Sequence, residues 1–201
     1  LCIAIENWVK ENECDASAIQ CWDSIQNHYG CATCLAMSMM GEKGKPSACE
    51  MDVTGALTMY ALYLASGKPS AYMDWNNNFT EDPNKCVNLH CSNFPKSFFG
   101  TEFEIENLDV LGTTLGAENC FGACKAQIAP GPMTFAKITT DDKNGKIKLY
   151  VGEGEFLSDK VNTKGGVSLC KVDNLQGLLK YMAGNGFEHH VAMNRSHCAD
   201  V

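Results

Sequence analysis

Between Pro46 and Asn93 three short apolar runs each bring a polar side chain to or near their C-terminal end: Glu50, Asp74 and His90. One amphipathic helix pattern separates the first two. Asp52 suits its N-cap, Val53, Ala56, Leu57, Tyr60 and Leu64 recur along one face, and Ser66-Gly67-Lys68-Pro69 stops it. Reacting groups in open α/β sheets gather outside the carboxyl ends of the strands. Two carboxylates and an imidazole from separate strands suit a divalent cation of the Mn, Mg, Fe or Co kind. The competing reading makes all three ordinary turn and capping residues.

The rest of the chain is organised around this stretch. Residues 1–12 have helical periodicity through Ile3, Ile5, Trp8 and Val9. Ala18 to Ile25 reads as a buried strand, Cys31 to Met40 as a helix, and Ala48-Cys49-Glu50 as the next strand end. The order α-β-α-β-α is the signature of a parallel sheet. Pro69 to Trp75 and Lys85 to Cys91 are two further strands. Beyond Ser92 the character turns to β. Thr134 to Thr140 and Lys146 to Val151 flank Asp141–Gly145, whose Asn-Gly is a hairpin signal. Val161 to Val172 adds more β, a helix spans Leu175 to Met182, and the last strand carries FEHHVAMN. The fold class is therefore α/β followed by a β-rich part, two lobes with a site between them.

Net charge excludes some partners. The 201 residues carry 16 Lys+Arg against 24 Asp+Glu, a formal net charge of −8 with no basic run. Nucleic acid needs a cationic face, so it is an unsuitable partner, as are anionic membranes. No stretch approaches the roughly 18 apolar residues of a membrane span, and no signal peptide is visible. The sequence opens at Leu1 within a helical pattern, which reads as part of a larger polypeptide. Twelve cysteines resemble a disulfide scaffold. Yet Cys21, Cys34, Cys49, Cys91 and Cys170 sit in apolar or strand-like runs, where free Cys is a small buried hydrophobe. Reduced thiols in a cytoplasmic protein are the expectation. Cys31-Ala-Thr-Cys34 and Cys120-Phe-Gly-Ala-Cys124 are possible half-sites for a Cys-ligated metal, but neither has a second CxxC at suitable spacing.

The stretches ACEMDVTGALTMYALYLASGKPSAYMDWNN, NLHCSNFPKS and NGFEHHVAMNRSHCADV resemble the C-terminal part of the L-fucose isomerase family, with kinship to L-arabinose isomerases. The resemblance covers nearly all of the chain. It implies an aldose–ketose isomerase with Mn²⁺ (Mg²⁺, Co²⁺ or Fe²⁺ as alternatives), acting on a fucose- or arabinose-type neutral sugar. It assigns residues 1–66 to the end of a parallel α/β domain. Residues 67–201 become a β-rich C-terminal domain with a small antiparallel β-barrel. It also implies a homo-oligomer, a trimer or hexamer of longer subunits. Carried over residue by residue, Glu50 and Asp74 are metal ligands. The late histidine falls on His190, with His189 a close contender, and His90 matches the fourth ligand of the arabinose type. Glu50 and Asp74 also serve as the base/acid pair around a cis-enediol, since carboxylates both ligate hard cations and accept protons. A non-catalytic sugar- or metal-binding relative is the alternative.

Other residues have two readings each. Trp75 stacks on a sugar face or belongs to the core. Asn76 and Asn77 bind hydroxyls or make the turn. His189 is a substrate group if it is not the ligand. Glu188 contacts substrate, orients an imidazole, or is a surface charge.

Overall fold

The computed structural model describes residues 1–197; residues 198–201 and the side chain of Asn77 lie outside the described residues. Helix α1 (Cys2–Glu11) leads into strand β1 (Ser17–Ala18), helices α2 (Ser24–Tyr29) and α3 (Cys34–Glu42), strand β2 (Ser47–Ala48) and helix α4 (Val53–Ser66). Strands β1 and β2 pair in parallel, with Ser17 opposite Ser47. The strand expected over Ala18 to Ile25 is mostly not one. Only Ala18 is in β1, and Ser24 opens α2. Short apolar runs cannot be assigned by period alone. Here the buried Gln26 amide donates to the Cys21 carbonyl at 2.9 Å, a group that a longer strand would have used in its ladder.

Helix α4 begins and ends as its sequence dictates. Asp52 Oδ1 accepts from the Gly55 N–H at 2.7 Å, and Gly67 closes the helix at φ +66°. Of the face expected to be buried, only Ala56 is. Val53 (69% exposed), Leu57 (52%) and Leu64 (64%) point outward, and Gly55, Ala56, Thr58, Met59 and Leu62 point inward. Small residues win because the helix lies close on the sheet. A Cβ at Gly55 would stand 2.4 Å from Tyr72 Cε2, and Thr58 Oγ1 accepts from the Ile138 N–H at 3.0 Å.

The remainder is β3 (Ser70–Asn78), β4 (Lys85–His90), α5 (Lys96–Phe99), β5 (Glu104–Asn107), α6 (Asp109–Leu115), β6 (Phe121–Gln127), β7 (Gly131–Asp141), β8 (Lys146–Phe156), β9 (Gly166–Lys171), α7 (Leu175–Gly184) and β10 (His190–Asn194). Eight of these strands form one largely antiparallel sheet in the order β4-β3-β10-β7-β8-β9-β6-β5, and a further pairing joins β4 to β9. The protein is thus mixed α/β with one large antiparallel-rich sheet. The β7–β8 hairpin folds around Asp141–Gly145 as read from its turn residues, with both strands longer than their alternating pattern.

Strands β3 and β4 are antiparallel neighbours in this sheet. They do not continue the β1–β2 pair. The expectation of polar groups collected along one carboxyl edge therefore fails. His90 does end β4, but Asp74 is in the middle of β3. Along β3, Ala71, Met73 and Trp75 enter an aromatic core with Phe94, Phe98, Phe99, Phe135, Tyr150, Phe156 and Phe187. Tyr72 instead packs with Ala56, Met59, Ala136 and Ala192 under α4.

The two faces of α4 give opposite outcomes on truncation. Met59→Ala is expected to cost about 2–5 kcal/mol, as large-to-small changes in packed cores do. Leu57→Ala is expected to stay within about 0.5 kcal/mol. Denaturant unfolding of the two variants measures both.

Candidate active site

The β3–β10 register sets His190 directly opposite Asp74. His190 Nε2 is 3.5 Å from Asp74 Oδ1 and 3.6 Å from Glu50 Oε2. Glu50, His90 and His190 each offer a ligand atom, all within 4.8 Å of one another, and Asp74, His189 and His190 form a second such set. Four candidates from four separate segments thus converge. Glu50 and Met51 follow β2 with φ of +59° and +57°. Left-handed non-glycine backbone of this kind concentrates at functional sites.

Of the two adjacent histidines, His190 is the buried one, 5% exposed. The His189 side chain is 63% exposed and reaches Asp74 Oδ1 at 3.7 Å. Burial, and then the positive charges of His90, His189 and Lys137, push the His190 pKa down to about 3. The ring stays neutral with a lone pair to give. Burial raises the Asp74 carboxyl above its ordinary range, with His90 and His189 pulling the other way. Asp74 Oδ1, which faces His190 Nε2, is buried with no hydrogen-bond partner among the described residues. An orphaned polar atom of this kind calls for a further partner, and two carboxylates with two imidazoles fit a divalent cation.

Behind His190 is a network that the sequence showed only as a helix cap. Asp52 Oδ2 contacts both Lys137 Nζ and the Tyr72 hydroxyl, and it is 3.8 Å from His190 Nδ1. Lys137 is fully buried and also meets Glu188 Oε1 at 3.0 Å. Glu188 Oε2 in turn stands 3.7 Å from His190 Nδ1, the imidazole-orienting position. Burial alone would push the Asp52 carboxyl up, but Lys137, Tyr72 and the Gly55 N–H outweigh it and hold it at about 2.

Asp74, Glu50, His90, Cys91, Leu108, Lys125 and Lys164 line a cavity of about 490 Å³. Trp75 is not among its walls. It lies in the core, its ring edge-to-face with Phe135 at 5.2 Å and its N–H donated to the Tyr150 hydroxyl at 3.1 Å. Successive strand residues point to opposite faces, so the residue after Asp74 turns away from the site. Asn76 is exposed, and the side chain of Asn77 is outside the described residues. Cys120 and Cys124 belong to different apolar clusters, so they form no half-site together. Eleven cysteines are free thiols among the described residues.

The chain matches the family described as L-fucose isomerase, C-terminal domain, over residues 88–201. That is more than half of the chain, which belongs to this family. Among curated relatives, a sulfoquinovose isomerase of Alkalicoccus urumqiensis is 24% identical over 194 residues, covering 94% of this chain and 42% of the relative. One from Priestia aryabhattai is 31% identical over 87 residues, 43% of this chain and 20% of the relative. One from Clostridium sp. (strain MSTE9) is 35% identical over 71 residues, 35% of this chain and 16% of the relative. The chain spans less than half the length of the relatives it matches. Among the described residues no helix is long and apolar enough to cross a membrane.

Removing the Asp52 carboxylate leaves Lys137 buried with Glu188 as its remaining ion partner. Asp52→Ala is expected to cost about 3–5 kcal/mol, the penalty for breaking a buried pair. Combining it with Lys137→Met should recover part of that loss, read by denaturant midpoints of the single and double variants.

Proposed function

We propose that this chain is the catalytic C-terminal part of an aldose–ketose isomerase that uses a divalent metal ion. The convergence of Glu50, Asp74 and His90, which line the cavity, with His190, whose Nε2 is within 3.6 Å of both carboxylates, carries the reading. Glu50, Asp74 and His190 would hold the ion, with His90 as a fourth ligand; Mn²⁺ is favoured, with Mg²⁺, Co²⁺ or Fe²⁺ as alternatives. When bound, the ion supplies Lewis-acid polarisation of the sugar carbonyl and the neighbouring hydroxyl.

The protein side of the chemistry follows from the residues. Glu50 and Asp74 flank the position of the reacting carbons and are the pair that takes a proton from one carbon and returns it to the other through a cis-enediol. Burial of Asp74 raises its proton affinity, which suits a group that must both accept and release. Neutral His190 offers Nε2 to the site while Asp52 and Glu188 lie on its Nδ1 side. Exposed His189 lies beside Asp74 and is available to a substrate hydroxyl, and exposed Asn76 is two residues along β3 from Asp74.

The resemblance to the fucose and arabinose isomerases favours a neutral sugar of that type. The relatives' name favours sulfoquinovose as a second reading; Lys125 and Lys164 stand in the wall of the same cavity, where Lys125 is paired with Glu106 and Asp109 and Lys164 with Asp109. The small barrel implied by the family is supported by the β4–β9 pairing, which returns the strand order to its first member. The division at residues 66 and 67 is supported by the separate β1–β2 sheet. A homo-oligomeric assembly is supported by an apolar hollow lined by Trp8, Val53, Leu57 and Tyr60.

Mn²⁺ binding by this chain is expected to be stoichiometric, removed by a chelator, and lost in Glu50→Gln and Asp74→Asn. In a polypeptide containing this chain, either substitution should lower kcat by about 10²–10⁴ in assays with L-fucose, L-arabinose, D-arabinose and sulfoquinovose. Product formed in D₂O should carry solvent deuterium. Its absence would replace the enediol with a hydride shift, in which the carboxylates only hold the ion.

A further inference from the structure

A group of thiols lies against the carboxylate site and takes no part in it. Cys49 precedes Glu50 and Cys91 follows His90, so the backbone that presents two site residues also presents two sulfurs. Cys49 Sγ and Cys91 Sγ are 4.0 Å apart, and Cys91 Sγ is 3.3 Å from His90 Nδ1. Ligand atoms of all three residues lie within 4.8 Å of one another. Two more thiols adjoin them, Cys34 beside Cys91 and Cys21 beside Cys49. The four sulfurs come from four different segments: the link after β1, helix α3, the end of β2 and the end of β4.

We propose that Cys49, Cys91 and His90 form a binding site for a thiophilic divalent cation of the zinc class, with Cys34 or Cys21 able to complete it. Tetrahedral zinc with Zn–S of about 2.3 Å and Zn–N of about 2.0–2.1 Å sets neighbouring sulfurs about 3.8 Å apart and sulfur to nitrogen about 3.5 Å apart. The two observed separations differ from these by a few tenths of an ångström.

Small buried hydrophobes are the usual account of core cysteines, and Cys86 with Cys170 in the aromatic core fits it. The Cys49–Cys91 pair differs in two ways. An imidazole nitrogen is aimed at it, and Cys91 lines the 490 Å³ cavity, which gives an ion a route in. Thiolate donors select soft or borderline ions over Mn²⁺ and Mg²⁺, so the two donor sets sort cations by chemistry. Binding breaks two S–H bonds and releases two protons to solvent. The dication and two thiolates then sum to no net charge, which suits burial. His90 belongs to both groups, so an ion on the sulfurs fixes the ring that also faces Glu50 and His190.

The test is titration of the intact chain with Cd²⁺, a spectroscopic stand-in for zinc, read by its ultraviolet thiolate-to-metal charge-transfer band. One Cd²⁺ per chain with a thiolate band is expected. The band should be lost in Cys49→Ser and in Cys91→Ser, and kept in Glu50→Gln, the variant expected to lose Mn²⁺. Circular dichroism checks that the serine variants fold. If they do not, the wild type decides. Stoichiometric Cd²⁺ should shield Cys91, the thiol that lines the cavity, from iodoacetamide, with labelled peptides read by mass spectrometry. Absence of a band, a band untouched in folded Cys49→Ser and Cys91→Ser, or shielding confined to other cysteines would overturn the assignment. Loss of Mn²⁺ binding alone leaves these outcomes unchanged, so the thiol site and the isomerase reading fail separately.

Discussion

The site depends on one buried ammonium group. Lys137, in the middle of β7, has no exposed surface and is held by Asp52 and Glu188. A lone buried cation is too costly to keep, so both carboxylates are drawn to it. Asp52 brings the N-terminus of α4, and Glu188 brings the approach to β10. Between them is the Nδ1 side of His190. The same contacts that neutralise the lysine therefore locate the helix, the strand and the imidazole relative to each other. Tyr72 adds its hydroxyl to Asp52 and packs its ring near His190, centroids 4.7 Å apart.

Sheet register does the rest. Pairing in an antiparallel sheet fixes which side chains are opposite, and here it sets Asp74 across from His190. A shift by one residue would turn Asp74 into the core and bring Trp75 out. The aromatic core on one face of β3 thus guards the position of the carboxylate on the other, because Trp75 is anchored to Phe135 and Tyr150.

Much of this was legible in the sequence, for reasons that can be named. The extent of α4 followed from Asp52 and Gly67, and the β7–β8 hairpin from its Asn-Gly turn, because caps and turns are local. Glu50, Asp74 and His90 stood out because polar groups ended apolar runs, and His190 through the family resemblance. Lys137 did not. Within Phe135-Ala-Lys-Ile138 a lysine reads as the solvent face of an alternating strand, and only tertiary contact reveals its two acidic partners. The buried face of α4 was misread for a related reason. Apolar residues lie on both flanks of the helix, and the choice between them was made by the closeness of Tyr72, which favours Gly55, Ala56 and Thr58 over Val53, Leu57 and Leu64. The antiparallel setting of β3 and β4 was likewise invisible, because direction in a sheet is decided by distant partners.

The left-handed turn at Glu50 and Met51 has a consequence for how this region can vary. Its two ends are anchored independently, Cys49 within the apolar layer under α4 and Asp52 as the helix cap joined to Lys137. Beside Glu50, the exposed Met51 side chain is free to change. The number of residues is not. An inserted or deleted residue would force either the cap off its helix or the carboxylate of Glu50 out of the cavity. Across divergent versions of this sequence, the interval between the strand end and the helix cap should hold constant in length even where its residues differ.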